Sequence, residues 1–161
     1  MQFKQINKNF VSIISLFICL PSFAGDNRES FGLGAGALYN GLGINVGIQS
    51  STDVKYLSIG CTSIGHTSNS GWESDCGIGG SWIKANIFSQ ENNKHGLGVH
   101  IAMTDPDKPK TSGIKKTLGI GYIYFFNGID AEGWNIELIP TISHYQGKKE
   151  YDIYLGFGYQ F

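Results

Sequence analysis

The chain has little charge and no positive excess. Lys and Arg number 12 against 13 Asp and Glu, and charged residues make up 16% of 161. That balance excludes a nucleic-acid binder, which needs a basic face for phosphate contacts. After residue 24, no segment approaches the 18 consecutive apolar residues of a membrane-crossing helix, so a bilayer could be crossed only by strands. Of the four prolines, two fall in residues 105–113 and keep that stretch out of a sheet interior. Beyond residue 24 the cysteines are Cys61 and Cys76 only. No histidine lies at a ligand spacing from them, so neither a metal site nor a cofactor is expected.

Residues 1–24 have the pattern of a secretory signal: Lys4 and Lys8 in a basic start, an apolar run over 10–20, and Ser22-Phe23-Ala24 before Gly25. The apolar run is about half the ~20 residues of a spanning helix. Cys19 follows Ile18, where a bacterial lipobox wants a small residue, so a lipoprotein is discounted. Cleavage after Ala24 leaves 137 residues, one domain, with 10 basic against 13 acidic side chains, a balance of −3. All 23 glycines lie in this part, as closely packed, curved strands require. For an exported chain, an even pair of cysteines implies a disulfide between Cys61 and Cys76.

Period-two alternation dominates what remains. Residues 153–161 place Ile153, Leu155, Phe157, Tyr159 and Phe161 on one face, and Tyr154, Gly156, Gly158 and Gln160 on the other. A large apolar face opposite a face of glycine and amide suits a strand between lipid and a narrow barrel interior. Eight such runs are expected, over residues 31–39, 42–49, 54–62, 77–89, 96–104, 116–126, 134–145 and 151–161. Asn40-Gly41 predicts a tight hairpin with positive φ at both residues, and residues 63–75 and 105–113 predict the long loops. Pro140 is expected to break the seventh strand or mark a bulge.

A soluble periplasmic barrel or sandwich would share the alternation. It is distinguished by charge on its second face, and none occurs on that face in 31–39, 42–49 or 153–161. The threading also collects Phe88, Tyr124, Phe126, Trp134, Phe157, Tyr159 and Phe161 at one rim, as an interfacial girdle would.

A leader, eight alternating strands and a terminal Phe161 preceded by Tyr159, Phe157, Leu155 and Ile153 resemble the small eight-stranded outer-membrane proteins of Gram-negative bacteria. The resemblance spans the whole chain after the leader. It implies an all-β, closed antiparallel eight-stranded transmembrane up-and-down β-barrel, monomeric and surrounded by outer-membrane lipid and lipopolysaccharide. It also implies that the barrel assembly machinery reads the last strand during insertion. Some similar barrels are lipid A acyl hydrolases or acyltransferases that use a serine and a histidine near the outer leaflet.

Alternation sends Lys84, Asn86, His100 and Glu137 to the interior, opposite Ile83, Ile87, Ile101, Ile136 and Leu138. Buried opposite charges must pair, so a Lys84–Glu137 ion pair with His100 nearby is expected. This cluster is structural filling, because eight-stranded interiors are packed rather than open, which argues against a pore. Serine–histidine chemistry has two candidates, His66 with Ser68 or Ser70, and Ser143 with His144. The second fails on geometry, since adjacent strand residues point to opposite faces. Trp72, between the two cysteines, is a candidate surface-binding residue or an interface anchor. Parity objects to the disulfide, placing Cys61 outward and Cys76 inward, so one of them must leave the regular strand.

Overall fold

The computed structural model describes residues 28–67, 71–87, 93–106 and 113–161. Eight strands follow in order: β1 Arg28–Gly36, β2 Gly41–Gln49, β3 Asp53–Thr67, β4 Gly71–Ala85, β5 His95–Pro106, β6 Lys115–Phe125, β7 Gly133–Tyr145 and β8 Lys148–Gln160. Each pairs antiparallel with its neighbour in sequence, and β8 returns to β1, so the sheet closes into an up-and-down barrel. The expected all-β, eight-stranded closed architecture is the one observed. The expected leader and Phe88 lie outside the described residues.

Alternation produces this fold because each strand has one face that avoids polar contact and one that provides it. Outward lie Ile44, Val46, Leu57, Ile59, Ile78, Ile101, Ile120 and Leu138, all exposed. Inward lie buried Ser58, Ser81, His100, Thr104, Thr141 and Ser143. The apolar part of the interior is largest toward the end where β1 begins and β8 finishes, where Val54, Tyr56, Ile83, Ile123 and Phe125 pack together, and it extends to Ile139 of β7.

The barrel wall is uneven. β7 accompanies all of β8, from Gly133↔Gln160 to Tyr145↔Lys148. β1 meets β8 only from Gly32↔Gln160 to Ala35↔Phe157, with Phe31 and Phe161 exchanging backbone hydrogen bonds below. Residues 148–156 therefore have no strand on their second side among the described residues. Tyr151, Ile153 and Leu155 are 75%, 70% and 78% exposed, somewhat more than Ile78 and Leu42, at 62% and 67%, which have strands on both sides.

Four sequence expectations need correction. Residues 63–75 are mostly strand rather than loop: β3 and β4 stay paired from Ser63↔Asp75 to Thr67↔Gly71. Ile64 and Trp72 are the only large apolar residues in this stretch of sequence, so the alternating apolar signal that marks a strand is missing although the ladder continues. β7 is not broken at Pro140. It stays paired to β8 through Pro140↔Ile153, and the β6 ladder lapses beside it between Gly119↔Thr141 and Tyr122↔Leu138, as a residue without an N–H requires. The first turn is longer than Asn40-Gly41. Asn40 and Gly41 do take φ of 54° and 97°, but the strands end at Gly36 and Gly41, and Ala37–Tyr39 form one 3-10 turn.

The fourth correction concerns β4. Ile83 and Ser81 are buried, whereas Ile78, Trp82 and Lys84 are exposed. Its inward set is therefore the reverse of the expected one. Cys76 then shares the outward face with Cys61, its direct neighbour across the ladder, and the two are joined by a disulfide. The parity objection disappears.

Candidate functional site

The lumen is closed by its own first turn. Ala37, Leu38, Tyr39 and Asn40 are all buried, at 1–3% exposure, because the turn folds into the barrel instead of over its rim. A wall without side chains makes room for it. A Cβ at Gly158 would collide with the Tyr39 phenol, and one at Gly156 with the Glu137 carboxylate. The glycine face of the last strand is thus the socket for the plug.

Polar contacts fix the plug in place. The Tyr39 hydroxyl donates to Asn135 Oδ1 at 3.1 Å and accepts from Asn135 Nδ2 at 2.9 Å, alternative bonds of one pair. The Leu38 N–H donates to both Glu137 oxygens, at 3.3 and 3.2 Å. Asn45 Nδ2 donates to the Leu38 carbonyl at 3.4 Å. Glu137 therefore caps the inserted turn.

Below the plug, Gln160 ties the short seam. Its amide donates to Ser30 Oγ at 2.6 Å and to Gln49 Oε1, and its carbonyl accepts from the Tyr56 hydroxyl. One residue of β8 is thereby bonded to β1, β2 and β3.

Above the plug, a cavity of about 20 Å³ is lined by Asn40, Thr62, His100, Thr104, Lys115 and Tyr154. That is room for roughly one water and no substrate. His100 Nδ1 lies 2.9 Å from Ser81 Oγ, both residues being buried. Ser143 Oγ is 2.8 Å from Thr117 Oγ1. At the rim, Lys115 Nζ donates to Glu150 Oε2 at 2.9 Å.

The expected interior cluster forms only in part. His100 and Glu137 face the lumen. Lys84 is exposed on the outer surface opposite Asp53, so the Lys84–Glu137 ion pair does not form. Asn86 lies past the end of β4 at φ 62°, with Oδ1 buried and unpartnered. Ser143 is buried and His144 exposed on opposite faces, as alternation required. His66 and Trp72 are cross-strand neighbours, and their side chains, like Ser68 and Ser70, lie outside the described residues. Ile153, Leu155, Phe157 and Phe161 point outward and are exposed.

Sequence reasoning missed Tyr39, Asn135 and the Ser81–His100 contact. Asn135 was within reach, because it shares parity with Glu137. Tyr39 was not, since nothing local indicates that a turn will point inward.

At the terminal end, the outer surface carries a chain of aromatic contacts. Trp134 stacks on Phe157 at 4.6 Å and meets Tyr159 at 5.0 Å, Tyr159 meets Phe161 at 4.8 Å, and Phe161 meets Phe31 at 5.9 Å. Tyr124 and Phe126 add a further pair at 5.2 Å. No protein family, curated protein or solved structure matches the chain.

Proposed function

We propose that the protein is an integral outer-membrane barrel of a Gram-negative bacterium, monomeric, with a structural or surface-interaction role and no pore. One observation carries this reading: an outer wall of exposed Ile, Leu and Val ends in a belt of touching aromatics, around a lumen blocked by its own first turn. In water such a surface would be an aggregation liability. Against lipid it is the expected apolar band with an aromatic girdle. The β3–β4 hairpin, stapled at Cys61–Cys76 and carrying Trp72, is the element for surface contact. Ile153, Leu155, Phe157, Tyr159 and Phe161 then serve as the signal for the assembly machinery, with lipid and lipopolysaccharide as the surroundings.

The test is expression with the leader in a Gram-negative host. The protein should stay in alkali-washed membranes, shift its gel migration on heating, and give no ion conductance in planar bilayers. Intact protein in the soluble periplasmic fraction overturns the membrane reading, and stepwise conductance overturns the sealed lumen. Lipid A modification is the second reading; the 2.9 Å Ser81–His100 contact is the serine–histidine pair it would use, although the cavity beside His100 holds only about one water. Mass analysis of lipid A with wild type and Ser81→Ala separates the two.

A further inference from the structure

Three basic residues stand side by side on the outer face of β6, β7 and β8. Lys116 is the direct cross-strand neighbour of His144, and His144 of Lys149. All three are exposed, on the same outward parity as Leu118, Leu138 and Ile153. The row is thus an imidazole between two lysines, three side chains that can each donate a hydrogen bond. Among the described residues, none of the three makes an ion pair. Glu150, the acid beside Lys149, lies on the lumen-side parity and is engaged by Lys115 at 2.9 Å. Asp105 lies two residues along β5 from Met103, the neighbour of Lys116, and opposite Cys76. It is not paired with Lys116.

Shape adds a second observation. The three basic residues share an open groove of about 260 Å³ with Leu118 and Ile142. On the other side of Lys116 lies a larger apolar groove of about 580 Å³, between Leu57, Ile78, Ile101 and Met103. It exists because Gly80 stands between Leu57 and Ile101 in the ladder and has no side chain to fill the gap. Lys116 therefore borders both apolar grooves, and His144 and Lys149 the smaller one.

We propose that Lys116, His144 and Lys149 hold the phosphate of a phosphorylated outer-leaflet lipid, with its acyl chains in the flanking grooves. This rests on the membrane reading above. The basic row lies at the loop end, where the apolar wall stops, which is the level of lipid headgroups on the outer side. A phosphate there would accept from two ammonium groups and the imidazole between them, and the chains cover the gap left by Gly80. Free phosphate would satisfy the cations but leave the grooves without purpose, so the commitment is to a lipid.

The test uses the full protein extracted in mild detergent and stripped of lipid. It is titrated with diphosphorylated lipid A, and separately with the dephosphorylated lipid, by native mass spectrometry. Since a lysine near an anionic surface contributes a severalfold gain, Lys116→Gln/His144→Asn/Lys149→Gln should weaken lipid A binding about tenfold or more. Dephosphorylation should do the same to wild type. Lys84→Gln, an outward lysine at the other rim, should change nothing. Equal binding by the triple variant, or by the dephosphorylated lipid, overturns the proposal. Displacement of lipid A by millimolar inorganic phosphate overturns the lipid commitment. If the triple variant does not fold, the single Lys116→Gln and the dephosphorylated lipid decide. A barrel that inserts into membranes but fails these tests leaves the membrane reading intact, whereas a soluble protein removes both.

Discussion

Tyr39 lies against Gly158, and the missing side chain at that position is what allows the first turn to enter the barrel. Replacing Gly158 with Val puts branched carbon where the phenol stands. Overpacking of this kind typically costs about 1–3 kcal/mol, and here the obstructing partner is a buried ring bonded to Asn135. We expect Gly158→Val to lower the urea midpoint for loss of heat-modifiable migration. Adding Tyr39→Ala to that variant should partly restore it, because the two changes share one contact. Strictly additive losses would show that the contact does not matter.

Gln160 is the polar knot of the seam that β1 closes with so few residues. Gln160→Leu leaves the Tyr56 hydroxyl, Ser30 and Gln49 without this partner in a buried site. Stranded buried polar groups cost about 1–3 kcal/mol. Tryptophan fluorescence in detergent micelles, using Trp82 and Trp134, should report a corresponding fall in unfolding free energy. Gln146→Leu, in an exposed turn, should stay within about 0.5 kcal/mol of wild type. Equal effects would deny Gln160 its role.

Strand number, order and the outward set of the last strand were legible in the sequence because alternation reports them directly. The reversed parity of β4 was avoidable. Two half-cystines facing each other across a ladder must share a face, so accepting the Cys61–Cys76 bridge would have turned Cys76, Ile78, Trp82 and Lys84 outward together. Ile83 misled because an isoleucine inside a barrel is as apolar as one outside it. The upper β3–β4 ladder was hidden for a different reason, its sequence holding only Ile64 and Trp72 as large apolar residues. The inserted turn and the basic row depend on which residues become neighbours across strands, and that follows from register.

Glu137 and Lys84 should behave as strangers. Glu137→Ala removes the acceptor of the Leu38 N–H, leaving a buried donor unsatisfied, with an expected loss of about 1–3 kcal/mol. Glu137→Gln keeps an acceptor and should lose less. Lys84→Ala, on the outer surface, should fall within about 0.5 kcal/mol of wild type. In a double-mutant cycle of Glu137→Ala with Lys84→Ala, the coupling energy should be indistinguishable from zero. A coupling near 1 kcal/mol or more would restore the ion pair that the geometry denies.

The disulfide stands where β3 loses its neighbour. Leu42↔Cys61 is the last β2–β3 pair, and Cys61 is also the last regular position before the β3–β4 register shifts at Thr62. Above it, β4 is the only strand paired with β3 among the described residues. A loop of the observed 15-residue separation is worth about 3 kcal/mol in the chain-entropy description. The local consequence is more telling. Without the bridge the polar ladder from Ser63↔Asp75 to Thr67↔Gly71 should fray, because a two-stranded ribbon is marginal alone. The barrel below keeps its ladders to β2 and β5. Protease added to whole cells expressing Cys61→Ser/Cys76→Ser should cut within residues 62–75, while wild type resists and the remaining barrel still shifts its migration on heating. An unchanged cleavage pattern would mean that the ladder alone holds the hairpin.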